Sequence, residues 1–149
     1  MTVRRQRRVA AAPEEVWRVV ADPWRLPAWW PGVARVEDAT AEAWTTVMTS
    51  GKGRAVRADF TRVEADEPRR LAWRQELAET PFERLLAESA TEVALEPADG
   101  GTRVSISLAQ SPRGWARFAP IQLRIAARRQ LEGALDGLGE LFAPAEASG

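Results

Sequence analysis

Carboxylates and arginines are the side chains of this sequence that could do acid-base chemistry, since it contains no histidine and no cysteine. Arg57 and Asp59 are two residues apart, as are Arg74 and Glu76, and at strand spacing each pair projects from one face. If that face points inward, Asp59 or Glu76 could act as a base while an arginine holds an enolate or carboxylate. An aldol cyclisation needs such an arrangement.

The apolar residues of the same two segments argue for the opposite orientation. Val56, Ala58 and Phe60 share one parity in the first segment, and Leu71 and Trp73 share it in the second. If these residues face the core, the arginine and carboxylate pairs form a solvated cross-strand ladder, which contributes little to stability. The sequence leaves both orientations open.

A second set of polar candidates lies at the start of the long C-terminal amphipathic segment. Gln122, Arg124 and Arg128 lie beside or within its apolar stripe in the first half only, which indicates that this half faces something less dry than a packed core. An arginine within reach of a cavity could fix a carboxylate or phenolate head group. The alternative is that these long side chains extend into solvent.

Seven tryptophans provide flat apolar surfaces that suit a fused-ring or acyl ligand and equally suit a plain core. Trp29 and Trp30 are adjacent, so we expect one to pack and Trp30 to face a pocket. Trp73 either packs in the core or lines the cavity, and Trp17 is expected to pack the first helix against the sheet. Two further aromatic residues precede the long helix and are expected at the second side of the mouth. The predicted ligand-binding residues are Trp30, Trp44, Trp73, Phe60, Trp115, Phe118, Gln122, Ile125, Arg124 and Arg128.

Composition limits the classes of function. The 149 residues suit one domain, and 21 Lys and Arg balance 21 Asp and Glu, which argues against a domain-wide footprint for nucleic acid or an anionic membrane. Arg4, Arg5, Arg7 and Arg8 are interpreted as a strand whose arginines are solvated or paired with glutamates on its neighbours, and the alternative is a nucleic-acid-binding arm. We expect no metal and no cofactor, because the usual zinc ligands are missing.

No apolar run approaches the roughly 18 residues of a membrane span, and the N-terminus lacks the apolar centre of a signal peptide. We therefore expect a cytoplasmic protein without stable membrane insertion, as a monomer or homodimer.

The sequence pattern predicts one long helix, two short helical regions and seven strands. The long helix, Pro120 to Phe142, has a core stripe of Ile121, Ile125, Leu131, Leu135, Leu138 and Phe142, widened by Leu123, Ala127, Ala134 and Leu141. A first helix opens at Pro13 and ends by Asp22, and a helical turn covers Trp24 to Trp29. The predicted strands are Thr2 to Ala12, Val33 to Glu37, Ala43 to Thr49, Gly53 to Glu64, Arg70 to Glu76, Glu83 to Leu95 and Thr102 to Ala109.

These elements predict an α+β helix-grip fold, in which a seven-stranded antiparallel sheet curls around the C-terminal helix and two short helices close one end. One helix cannot fill a curled sheet completely, so a cavity between them is expected. We expect a single domain over residues 1–143 and a frayed tail over 144–149.

Several motifs in order along the chain resemble the START-related SRPBCC superfamily, and within it the polyketide cyclase/dehydrase and lipid-transport group. They are Ala12-Pro13-Glu14-Glu15-Val16-Trp17, Asp22-Pro23-Trp24, Trp29-Trp30-Pro31-Gly32-Val33, Pro68-Arg69-Arg70-Leu71-Ala72-Trp73-Arg74 and Gly101-Thr102-Arg103-Val104. The resemblance implies a pocket for a hydrophobic molecule and leaves the chemistry open.

The predicted function is the binding of a small hydrophobic ligand of lipid, polyketide or aromatic type. One alternative is an enzyme of the polyketide cyclase/dehydrase type. The other is a protein-interaction module for lipid or quinone complexes, which would present an exposed apolar patch.

Overall fold

A computed structural model describes residues 1–49 and 51–144. Seven strands and three α-helices occur in that part of the chain, and short 3-10 turns cover Pro23–Arg25, Pro81–Arg84 and Gly114–Phe118. The elements are β1 (Thr2–Val9), α1 (Pro13–Val20), α2 (Leu26–Trp29), β2 (Val33–Glu37), β3 (Ala43–Thr49), β4 (Ala55–Asp66), β5 (Arg70–Glu76), β6 (Leu86–Ala98), β7 (Gly101–Pro112) and α3 (Pro120–Leu141).

Local chemistry explains where the early helices begin and end. Pro13 occupies the first position of α1, and Glu14 and Glu15 in its first turn suit the positive end of the helix dipole. The Asp22 carboxylate accepts a hydrogen bond of 3.0 Å from the Trp24 amide, which starts the next turn. The chain therefore breaks between α1 and α2 as predicted.

The strands form one antiparallel sheet in the order β1-β7-β6-β5-β4-β3-β2. The longest hairpin, β6-β7, closes through the two-residue turn Asp99-Gly100, where Gly100 has a φ of 75° that favours glycine. In β7, Val104, Ile106 and Leu108 are buried on the core side. This sheet and the helix that it holds confirm the predicted helix-grip architecture.

The C-terminal helix is covered from Ala127 onward. Its buried residues are Ala127, Leu131, Ala134, Leu135 and Leu138. The prediction that Ile121 and Ile125 face the core was wrong, because the first two turns of α3 lie outside the covered part of the helix and both side chains are exposed. Leu141, near the other end, is exposed as well.

Two arginines of β1 pair with the C-terminal helix rather than with neighbouring strands. Arg5 Nε lies 3.3 Å from Glu132 Oε1, and Arg7 Nη1 lies 2.6 Å from Asp136 Oδ1. These carboxylates are in α3, which packs against β1, so the ion pairs join helix to strand. Sequence alone could not show this, because the packing partner of β1 is set by the curl of the sheet.

A glycine in α3 allows α2 to approach closely. A Cβ atom on Gly137 would lie 2.9 Å from the Trp29 Cα and closer still to its carbonyl oxygen, a clash that a side chain cannot relieve. Gly137 therefore lets the backbone of α2 rest on α3. Since Trp30 follows α2 directly, this contact also sets the position of Trp30.

Some predicted bounds differ from the structure. Strand β6 begins at Leu86 instead of Glu83, because Pro81–Arg84 form a 3-10 turn in which the Thr80 hydroxyl accepts a hydrogen bond from the Phe82 amide. Strand β1 ends at Val9 instead of Ala12. Most of the predicted tail lies outside the described residues.

Candidate ligand-binding cavity

A cavity of about 200 Å³ lies on the inner face of the curled sheet, bounded by α2 and by one residue of α3. Its walls are mostly apolar. The aromatic residues are Trp30, Trp44, Phe60, Trp73 and Phe82, and the aliphatic ones are Leu26, Val33, Met48, Ala58, Leu86 and Leu108. The polar residues are Thr46, Gln75, Ser89, Thr91, Gln110 and Gln130.

Aromatic rings form a continuous wall along one side. The Trp73 ring centroid lies 5.9 Å from that of Trp30 and 5.8 Å from that of Trp44, and both pairs meet edge to face. Phe60 stacks on Trp44 at 6.1 Å with an interplanar angle of 15°. Pairs at these separations have favourable geometry, so the rings hold one another in place. Trp29 packs against Trp30 from the core side, which agrees with the expectation that one of the two packs and the other faces the pocket.

Uncharged hydrogen-bonding groups interrupt the apolar lining. Gln110 Nε2 lies 3.4 Å from Ser89 Oγ, a long hydrogen bond that leaves much of the amide available. The indole N–H of Trp44 is buried and has no hydrogen-bond partner among the described residues. The same holds for the Trp29 indole, and neither nitrogen is exposed to the cavity space.

Among the described residues that line the cavity, none carries an ionisable side chain. Arg62 contacts the wall without lining the cavity, with its guanidinium carbon 5.8 Å from the Trp44 ring centroid. Its Nη2 donates a hydrogen bond of 2.6 Å to the Ala21 carbonyl, which ties β4 to the end of α1. Burial lowers the pKa of the Arg62 guanidinium, and a more distant attraction to Glu42 opposes the shift.

The four candidate acid-base residues lie on the outer face of the sheet. Arg57, Asp59 and Arg74 are exposed, whereas Ala58 and Trp73 of the opposite parity are buried. Arg57 pairs with Glu37 of β2.

Glu76, the fourth candidate, has a pKa shift that is unfavourable for base catalysis. Hydrogen bonds from the Thr61 hydroxyl and the Arg74 guanidinium hold the pKa of Glu76 below its ordinary value, against a small opposing effect of burial. A base that works near neutral pH needs a shift in the other direction. The outward interpretation of the pairs is therefore correct. Nor do any three carboxylates within residues 1–49 and 51–144 gather into a group that could hold a metal ion.

The structure brings four of the ten predicted ligand-binding residues together at the cavity, namely Trp30, Trp44, Phe60 and Trp73. It places the other six elsewhere. Those are Trp115, Phe118, Gln122, Ile125, Arg124 and Arg128, all exposed on the 3-10 turn before α3 or on its first turns. They lie apart because α3 meets the cavity only at Gln130, which follows all of them in the chain.

Several cavity residues were missed at the level of sequence although strand parity could have found them. Thr46, Gln75 and Gln110 each follow an inward residue by two positions, and Thr91 is the register partner of Trp73. Phe82 carried no such signal, because a 3-10 turn has no strand parity.

The fold and this cavity together define a helix-grip protein of a hydrophobic-ligand-binding type. The family described as polyketide cyclase/dehydrase and lipid transport matches residues 1–143, and the chain belongs to that family. This confirms the resemblance found in the sequence motifs. No helix in the described part of the chain has the length and apolar character to cross a membrane.

Solved structures share the fold at low sequence identity. Protein CV1439 from Chromobacterium violaceum is 20% identical with a TM-score of 0.75, and the match covers 96% of this chain and 97% of that one. The di-domain ARO/CYC StfQ from the steffimycin biosynthetic pathway is 18% identical with a TM-score of 0.76, covering 99% of this chain and 52% of that one. The di-domain ARO/CYC BexL from the BE-7585A biosynthetic pathway is 13% identical with a TM-score of 0.77, covering 97% and 50%. The present chain thus spans about half of each di-domain protein. No curated protein matches the sequence.

Proposed function

We propose that the protein binds a compact, planar and uncharged hydrophobic molecule of one or two fused rings in the cavity between the sheet and its helices. The observation that carries this proposal is the wall of Trp30, Trp73, Trp44 and Phe60 facing a space without ionisable side chains among its described lining. Flat rings suit a flat ligand, and an uncharged lining disfavours an ionised one.

The size of the cavity supports a small ligand. Its volume of about 200 Å³ lies below the 300–1,000 Å³ that is typical of sites for drug-sized molecules. A buried apolar cavity of about 150 Å³ takes up benzene. A molecule of one or two rings therefore matches the space, whereas a four-ring product or a long acyl chain would have to extend through the opening.

The uncharged polar groups support a ligand with a carbonyl or hydroxyl substituent. The side-chain amides of Gln75 and Gln110 line the cavity, and each can donate or accept a hydrogen bond. A few such groups in an apolar site fix the orientation of the ligand.

An enzyme of the cyclase/dehydrase type is the second candidate, and the likeness of the fold to two ARO/CYC proteins favours it. It ranks second because proton transfer at neutral pH needs a base beside the substrate. Asp59 and Glu76 point away from the cavity, and the pKa of Glu76 is lowered. We expect either activity to take place in the cytoplasm.

The test is a calorimetric titration with 1-tetralone, an uncharged two-ring ketone, accompanied by tryptophan emission. Saturable binding with a change in emission supports the proposal, and palmitate is expected to bind more weakly. Trp30→Leu should weaken tetralone binding, whereas the matched control Trp24→Leu, which removes an exposed ring outside the cavity, should not. Absence of heat and of any emission change at high micromolar tetralone would refute the proposal.

A further inference from the structure

Exposed apolar side chains cluster on the surface formed by the Gly114–Phe118 turn and the start of α3. Trp115, Phe118, Ile121 and Ile125 are 68%, 80%, 70% and 44% exposed. They account for four of the seven large apolar residues that are exposed in the described part of the chain, and they lie within eleven consecutive residues. Single exposed apolar residues are ordinary, but a cluster of this size marks an interaction surface.

The charged side chains of this segment all have one sign, although Glu83 of the neighbouring turn lies 4.0 Å from Arg113 at its edge. The sequence contains no Asp or Glu from Gly100 to Leu131, and Arg117, Arg124, Arg128 and Arg129 are all exposed there. Arg124 and Arg128 form no ion pair with any described residue. Arg5 and Arg7 of β1, by contrast, pair with carboxylates of α3. The surface is therefore basic although the whole chain is neutral.

Helix geometry places the two kinds of side chain side by side. At 100° per residue, Ile125 lies about 40° from Ile121, while Arg128 and Arg124 lie on one side of this pair and Arg129 on the other. Phe118 precedes Ile121 by three residues, and the Arg117 guanidinium carbon lies 5.6 Å from the Phe118 ring centroid. An apolar ridge bordered by arginines is the pattern of a helix that lies in a membrane interface.

We propose that this surface docks on an anionic membrane, with Trp115, Phe118, Ile121 and Ile125 entering the boundary between head groups and acyl chains and the arginines binding lipid phosphates. Charge complementarity favours this partner, because the exposed arginines beside the apolar side chains fit an anionic surface. The apolar tips supply a second contribution to binding. This is docking on the surface, not a span across the bilayer.

Docking in this orientation would bring the cavity near the lipid. The Arg113 amide donates a hydrogen bond of 2.7 Å to the Leu85 carbonyl, so the turn that holds Trp115 and Phe118 packs beside the Pro81–Arg84 turn. Phe82 of that second turn lines the cavity. A membrane-bound protein would thus present one wall of its ligand site to the bilayer.

The test is co-sedimentation of the full chain with vesicles of phosphatidylcholine alone and with an equal share of phosphatidylglycerol, at low and high salt. We expect binding to the anionic vesicles only, and weaker binding at high salt. Arg124→Gln with Arg128→Gln should lower the partition coefficient about thirtyfold. Phe118→Glu should abolish binding. The matched controls are Arg4→Gln with Arg103→Gln for charge and Trp24→Ala for an exposed ring, and both should bind as the wild type does.

Two results would overturn the proposal. One is that the protein, shown to be folded by circular dichroism, sediments equally with neutral and anionic vesicles or with neither. The other is a concentration-dependent dimer in analytical ultracentrifugation that Phe118→Glu dissociates, which would make a second copy the partner. Tetralone binding without vesicles is independent of this surface, so failure here is distinguishable from failure of the proposed function.

Discussion

Filling the cavity with a leucine should remove ligand binding while the protein stays folded. Ala58 is buried in β4 and lines the cavity, so in Ala58→Leu the larger side chain would enter the space that the ligand uses. Leucine has three more carbon atoms than alanine, and these would occupy part of the 200 Å³ present here.

The magnitude follows from the groups displaced. The three added carbon groups of the leucine would exclude about three carbon groups of the ligand from the cavity. Each excluded group loses about 0.8 kcal/mol of burial free energy, so the affinity should fall about fiftyfold. The same three groups become buried in the protein and stabilise it by up to about 2.4 kcal/mol, whereas imperfect fit costs about 1–3 kcal/mol. The free energy of unfolding should thus change by no more than about 2 kcal/mol.

The assay is a calorimetric titration with 1-tetralone, with urea unfolding of the same samples. The matched control is Ala55→Leu in the same strand, since Ala55 is exposed and does not line the cavity. It should bind like the wild type. Our reasoning is refuted if Ala58→Leu is folded and binds tetralone within threefold of the wild type, or if Ala55→Leu loses binding to the same extent.

Three further predictions follow from the site and its supports. Tetralone affinity should change less than twofold from about pH 6 to 8 in the wild type, in Asp59→Asn and in Glu76→Gln. The reason is that the lowered pKa keeps Glu76 ionised over this range and that no described lining residue titrates. A pH-dependent step in affinity that one of the variants removes would indicate a catalytic carboxylate. Gly137→Ala should weaken tetralone binding and lower the urea midpoint, despite the better helix propensity of alanine. Gly133→Ala, whose added methyl group would meet only a proline ring, should cause smaller changes in both quantities. Equal effects of the two substitutions would contradict the close approach of α2 to α3. Arg62→Met should lower the free energy of unfolding in urea by about 1–2 kcal/mol, because the hydrogen bond to the Ala21 carbonyl is lost. Tetralone affinity should stay within threefold of the wild type. A large loss of affinity would place Arg62 in the ligand site.

Much of the fold could be predicted from local patterns in the sequence. The predicted bounds of β2, β3 and β5 coincide with the structure, and α3 begins at Pro120 as expected. The parity of Leu71 and Trp73 also favoured an outward Arg74, and the structure has it exposed. These features follow from alternation, proline and glycine positions, which act between residues a few places apart.

The composition of the cavity could be predicted only in part. Trp30, Trp44 and Trp73 were chosen for their size and parity, yet their edge-to-face contacts exist because the curl of the sheet brings three distant segments together. A helical wheel of α3 places Ile121 and Leu131 in the same apolar stripe. The wheel gives only the direction of a side chain around the helix axis, and it carries no information on where the covering sheet ends.

The sequence by itself thus determined the elements, the faces of the strands and the family. Only the tertiary structure decided that the first turns of α3 remain uncovered, with their arginines around an exposed apolar ridge, and that the aromatic wall encloses a space without charges among its described lining. The physical reason is that periodicity is set by the local backbone, whereas burial depends on which surfaces meet, and that depends on the twist of the whole sheet.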